Sequence, residues 1–109
     1  MSDIISNSEV FKFADKIEYS SNGIVSKKII QKPSGNITLF SFDTGQELSE
    51  HTAPFDALVQ VLDGQAEIII NRISYIVSTG EAIIMPAGIP HAVKAPNAFK
   101  MLLTMIKEA

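Results

Sequence analysis

A chain of 109 residues, 46% hydrophobic and 19% charged, has the size and composition of one globular domain, able to hide roughly two-thirds of its unfolded surface. Its formal charge of -3, with no basic block beyond Lys27-Lys28, excludes a nucleic-acid partner, which needs clustered Lys and Arg along the phosphates. With no cysteine there is no disulfide, zinc finger or thiol nucleophile, and no apolar run approaches the roughly 20 residues that span a bilayer.

Residues 1–22 form the least regular part, a short irregular or helical N-terminal segment. It lacks the basic and apolar regions of a signal peptide, so the expected location is the cytoplasm, with no membrane contact. Phe11, Phe13 and Ile17 would line one side of a short helix. Residues 23–109 are expected to form a single barrel domain. Its candidate strands are 23–31, 36–43, 47–51, 55–62, 65–70, 73–77, 81–85, 91–95 and 99–106. Turn signals stand between them at Pro33-Ser34-Gly35, Thr44-Gly45, Asp63-Gly64, Asn71-Arg72, Thr79-Gly80 and Pro86-Ala87-Gly88. Closely spaced short strands without a long helix point to an all-β sandwich or closed antiparallel barrel, which leaves few bare strand edges.

Two glycine-anchored patterns carry the chemistry. The first runs Gly45, five residues, His51, then Ala53, Ala57 and Gly64, and the second runs Gly80, five residues, Pro86, Gly88, His91. The stretches GQELSEHTAPFDALVQVLDG (45–64) and GEAIIMPAGIPH (80–91) resemble the two motifs of the cupin family. The resemblance implies an antiparallel jelly-roll barrel and, in most members, one divalent metal held by three His and one Glu. It also implies dimers built by exchanging or pairing edge strands. The chain departs from the pattern where the family has its second histidine (Ala53), its glutamate (Ala57) and a terminal asparagine (Ala95), so only His51 and His91 carry over as candidate metal ligands.

Two histidines do not make a metal site by themselves: zinc needs further ligands, and the non-haem iron triad needs a carboxylate. Strand alternation puts Glu47 on the same side as His51, but about 13 Å along the strand at roughly 3.3 Å per residue. Gln60 has the parity opposite to Ala57. Either could complete a site for zinc, nickel, iron or manganese only if a bulge turned it inward. The expected pocket is therefore His51 and His91 facing each other, walled by Val59, Val61, Val93 and Met101. On the last strand Phe99, Met101, Leu103 and Met105 share one face, while Leu102 and Ile106 lie on the other with Lys100 and Thr104. A strand apolar on both faces needs cover on both, from the N-terminal segment or from a second subunit, so a homodimer is expected.

No nucleophile elbow, dinucleotide fingerprint, Walker A or HExxH pattern is present. Three functions remain. The first is a barrel that binds a small, partly apolar ligand with little or no metal. The second is a metal-dependent isomerase or dioxygenase using His51 and His91. The third is a non-enzymatic dimeric interaction module.

Overall fold

The computed structural model describes residues 5–107. The described residues form nine strands: β1 (Ile24–Lys32), β2 (Gly35–Phe42), β3 (Glu47–His51), β4 (Phe55–Asp63), β5 (Gln65–Ile70), β6 (Ile73–Ser78), β7 (Ala82–Met85), β8 (His91–Lys94) and β9 (Phe99–Lys107). Every strand expected from the sequence is present, with each end within one residue of its expected place. The strands make two antiparallel sheets, in the orders β1-β2-β9-β4-β7 and β3-β8-β5-β6. No helix among the described residues is long and apolar enough to cross a membrane.

The inner faces of the two sheets close on one core. Phe42 and Phe99 sit opposite each other in the β2–β9 register and stack with ring centroids 4.6 Å apart. Around them pack Val59 and Val61 from β4, Ala66 and Ile68 from β5, Val93 from β8, and Met101 and Leu103 from β9. These are the alternate positions of each strand, as a pleated sheet with one buried face requires.

The outer face of the first sheet is covered as well. Leu39 and Leu102 pack there with Ile17, supported by Phe13, Val25, Ile29, Ile37 and Leu62. The described residues before β1 are therefore an extended strap carrying one short 3-10 turn, Phe13–Lys16, in keeping with the short irregular or helical segment expected there but with no full α-helical turn. The reason lies in the backbone partners. The Ala14 carbonyl accepts from the Lys100 ammonium (2.7 Å), the Lys16 carbonyl from Lys27, and the Glu18 carbonyl from the Ser41 hydroxyl (2.8 Å). Carbonyls that would close helical turns are thus bonded by side chains of the sheet beneath. The Tyr19 hydroxyl donates to the Asp63 carboxylate; burial and that anionic neighbour raise the phenol's pKa above its usual range.

Two turn glycines differ in what surrounds them. Gly64 (φ +84°) lies against the β8–β9 connection, and a Cβ there would stand 2.2 Å from the Ala98 carbonyl oxygen. Gly80 (φ +87°) has nothing within 4 Å. Asn tolerates the left-handed region, so Gly80→Asn is expected to cost about 1 kcal/mol or less. Gly64→Asn must also displace backbone and is expected to cost about 3 kcal/mol. Urea unfolding of the two variants checks this, and equal losses would show that the Ala98 contact does not matter.

Candidate functional site

The two candidate histidines meet because β3 carries a bulge. Leu48 pairs with Val93, but His51 pairs with His91, so three steps along β3 span two along β8. The extra residue resets the alternation, and Leu48 and His51 both face into the barrel. Strict alternation would have put Glu47 on the same side as His51. The bulge instead leaves Glu47 outside, opposite Lys94 and beside Glu67 in a shallow cleft of about 230 Å³. Gln60 is not turned inward either. The register from Ala57 to Gln60 against Met85 to Ala82 is unbroken, and Ala57, Val59 and Val61 hold the buried positions on either side of it. Neither conditional ligand reaches the histidine pair.

The connection before His91 is tied down at three points. The Ala87 amide donates to the Asp56 carboxylate (2.9 Å), the Gly88 amide to the Ala53 carbonyl (2.8 Å) and the Asn71 amide to the Pro90 carbonyl (2.8 Å). Pro86 and Pro90 stiffen the same stretch. Asp56 sits just outside the two histidine-bearing loops and joins them.

His51 and His91 stand edge to face with ring centroids 4.4 Å apart, their Nε2 atoms separated by 3.1 Å. Each Nδ1 faces a backbone carbonyl, Ser49 at 2.8 Å for His51 and Ile89 at 3.3 Å for His91. A carbonyl only accepts, so each ring carries a hydrogen on Nδ1 and a lone pair on Nε2. The two lone pairs therefore converge. The hydrogen bond between them closes only when the pair takes up one further proton, and the pair then bears a single positive charge. Burial lowers the pKa of His91, the Ile89 carbonyl works against that, and the neighbouring His51 adds to the lowering. His91 is buried at 6% exposure, while His51 is open to solvent.

This pair belongs to the open end of the sandwich. The row His51, His91, Ile70 and Ile73 runs across the inner face of the second sheet. The β1–β2, β3–β4, β5–β6 and β7–β8 connections all lie at this end. Deeper in, Val59, Val61, Val93 and Met101 were expected as pocket walls. They are 0–2% exposed and belong to the core, so they back the mouth without lining an open cavity. Large apolar side chains from both sheets interdigitate at that depth and leave no water-sized access.

The cupin-domain family model matches residues 38–107. The chain belongs to the cupin family. A conserved Streptococcus pyogenes protein of unknown function is 40% identical over this entire chain and 97% of its own, with a TM-score of 0.92. A cupin 2 conserved barrel domain protein from Leptotrichia buccalis is 44% identical over 89% of this chain and 47% of its own, with a TM-score of 0.87. Among curated proteins, a probable gamma-glutamyl phosphate reductase from Schizosaccharomyces pombe is 26% identical over 88% of this chain. The cupin chain spans 21% of the length of that relative.

The usual cupin metal does not fit the residues present. Two imidazoles remain; Ala53 and Ala57 replace the other donors, and Ala57 is itself packed in the core. Among the described residues no group of three or more His, Cys, Asp or Glu could hold an ion. What the two rings present at the mouth is a pair of converging ring nitrogens.

The pKa of His91 gives a signed expectation. Its folded value lies below the ordinary 6.5, so between the two the unfolded chain binds a proton that the folded chain refuses. This contribution to stability is fully present above about pH 6.5 and is lost as pH falls through that value toward the folded one. Thermal melts of the native chain and His91→Gln at pH 5 and pH 8 should show the native chain losing more on acidification. An identical pH dependence would contradict the buried-neutral assignment of His91.

Proposed function

We propose that this cupin binds a small, partly apolar molecule at its barrel mouth, with the His51–His91 pair meeting the molecule's polar end and little or no metal taking part. The observation that carries this reading is the 3.1 Å Nε2 pair, both rings held through Nδ1 by backbone carbonyls. Two fixed acceptors converge where the barrel opens, with Ile70 and Ile73 in the same row. Such an arrangement of a few aimed polar groups among apolar neighbours is the usual make-up of a small-molecule site. The metal-dependent isomerase or dioxygenase reading lacks its third and fourth ligands.

The test is a nitrogen-15 NMR titration of the histidine rings with a set of small, partly apolar fragments, alongside elemental analysis of untagged protein. At least one fragment class should shift both ring signals, and His51→Ala should weaken its binding about tenfold, the worth of one good hydrogen bond to a charged group. Zinc, nickel, iron and manganese should each stay below about a tenth of an equivalent, because two imidazoles alone hold such ions weakly. Stoichiometric metal, or rings that no fragment perturbs, would overturn the reading.

A homodimer is the second part of the proposal. The strap covers one part of the first sheet's outer face, and Ile30, Ile37, Thr104, Leu58 and Ile84 form a row across the uncovered part. Ile30, Ile84 and, one row further, Ile106 are 48–63% exposed. A row of this kind supports docking against a second copy. Sedimentation at micromolar concentration should give a dimer, and Ile84→Lys a monomer; a native monomer under these conditions removes this part.

A further inference from the structure

We propose that the mouth selects a small carboxylic acid, held as its anion by Lys32 and Lys107 with its apolar body against Phe55 and Met105. This puts the ligand's charged end at the lysines, leaves any hydrogen-bond donor it carries to the histidine pair, and rests on the reading above that the mouth binds a small, partly apolar molecule. The argument comes from the wall opposite the histidines. Gln31, Asn36, Met105 and Ala57 form one row across the inner face of the first sheet, and Phe55 and Lys107 pair in the row beyond it. Together with Lys32 they line a cleft of about 310 Å³ at the open end. That volume stands at the lower end of small-molecule sites.

The cleft combines three chemistries. Phe55 and Met105 supply an aromatic face and a flexible thioether for an apolar body. The Asn36 side chain, which accepts from the Thr38 hydroxyl at 3.0 Å, supplies a neutral polar group. Lys32 and Lys107 supply two positive charges, and among the described residues neither has an acidic partner. Their backbones are fixed relative to each other: Lys32 pairs with Gly35, and the Lys107 amide donates to the Ser34 carbonyl at 2.7 Å. The Lys107 ammonium stands 5.7 Å from the Phe55 ring centroid, so charge and aromatic face are adjacent. Elsewhere at this end Glu50 is approached by Arg72 at 3.9 Å and Asp56 is bonded to the Ala87 amide. Among the described residues no carboxylate lines the cleft, in a chain whose net charge is -3. Two cations with no acidic partner among the described residues, over an apolar floor, fit an amphiphilic acid better than an alcohol of the same shape.

The experiment titrates hexanoate and 1-hexanol into the full chain, reading Phe55, Met105 and histidine signals by NMR and affinity by calorimetry. Hexanoate should bind at least about tenfold more tightly than hexanol, roughly 1.4 kcal/mol. Lys32→Gln with Lys107→Gln should remove that preference and leave hexanol binding unchanged, with the melting temperature confirming that the variant is folded. Hexanol bound as tightly as hexanoate, with the same signals shifting, would overturn the acid class and leave the mouth as a binding site. Signals that neither compound moves at about 10 mM, or hexanoate binding that survives the double substitution, would also overturn the acid class; the first result counts against the mouth reading too.

Discussion

The constraint on which the structure turns is that its central strand is apolar on both faces. β9 pairs with β2 on one side and β4 on the other, so its backbone is satisfied, but Phe99, Met101 and Leu103 point one way and Leu102 the other. Each set must leave water. The inward set meets the second sheet and closes the barrel. The outward set meets the strap, whose carbonyls are held by Lys27, Lys100 and Ser41 from the sheet it covers. Two layers of cover on one sheet explain how a 109-residue chain carries both a closed core and a buried outer flank.

The histidine site is a consequence of the same barrel with one local exception. A regular β3 would alternate Leu48 and His51 to opposite sides. The added residue between them lets the leucine join the core while the histidine faces its partner on β8. The Pro86–Pro90 connection, bonded to Ala53 and Asp56, fixes the other half of the pair. With alanine at both remaining ligand positions, two lone pairs converge in an apolar surround. Such a pair can accept a hydrogen-bond donor, whereas two imidazoles alone make a poor ion site.

Much of this was legible in the chain. Period-two patterning and turn dipeptides set all nine strands, because each half-buried strand announces its inward face and each Gly or Asn turn its end. The facing of Met101 and Leu103 against Leu102 followed from the same rule. What alternation could not show was where it breaks. Glu47 was placed with His51 by parity, and only the bulge, a pairing property of two strands, reversed that. Val59, Val61, Val93 and Met101 were correctly turned inward, yet an inward position says nothing of whether space remains beside it; that depends on the opposing sheet. The strap was expected as an irregular or helical segment, but which carbonyls it would present to the sheet was not legible, since its partners are side chains distant in sequence. The cleft under Lys32 and Lys107 escaped notice because its parts come from four separate strands and a turn.

The strap also separates two units that are often treated as one. The stretch matched by the family begins at residue 38. Phe13, Ile17, Val25 and Ile29, which shield Leu39 and Leu102, all lie before it. The segment that is recognisable by descent is therefore smaller than the segment that can exclude water. Transplanting residues 38–107 alone into another protein would carry the motifs and expose a greasy flank. The heritable signature and the packed, water-excluding unit of this molecule have different borders, and the upstream residues, poor in motif, belong to the second.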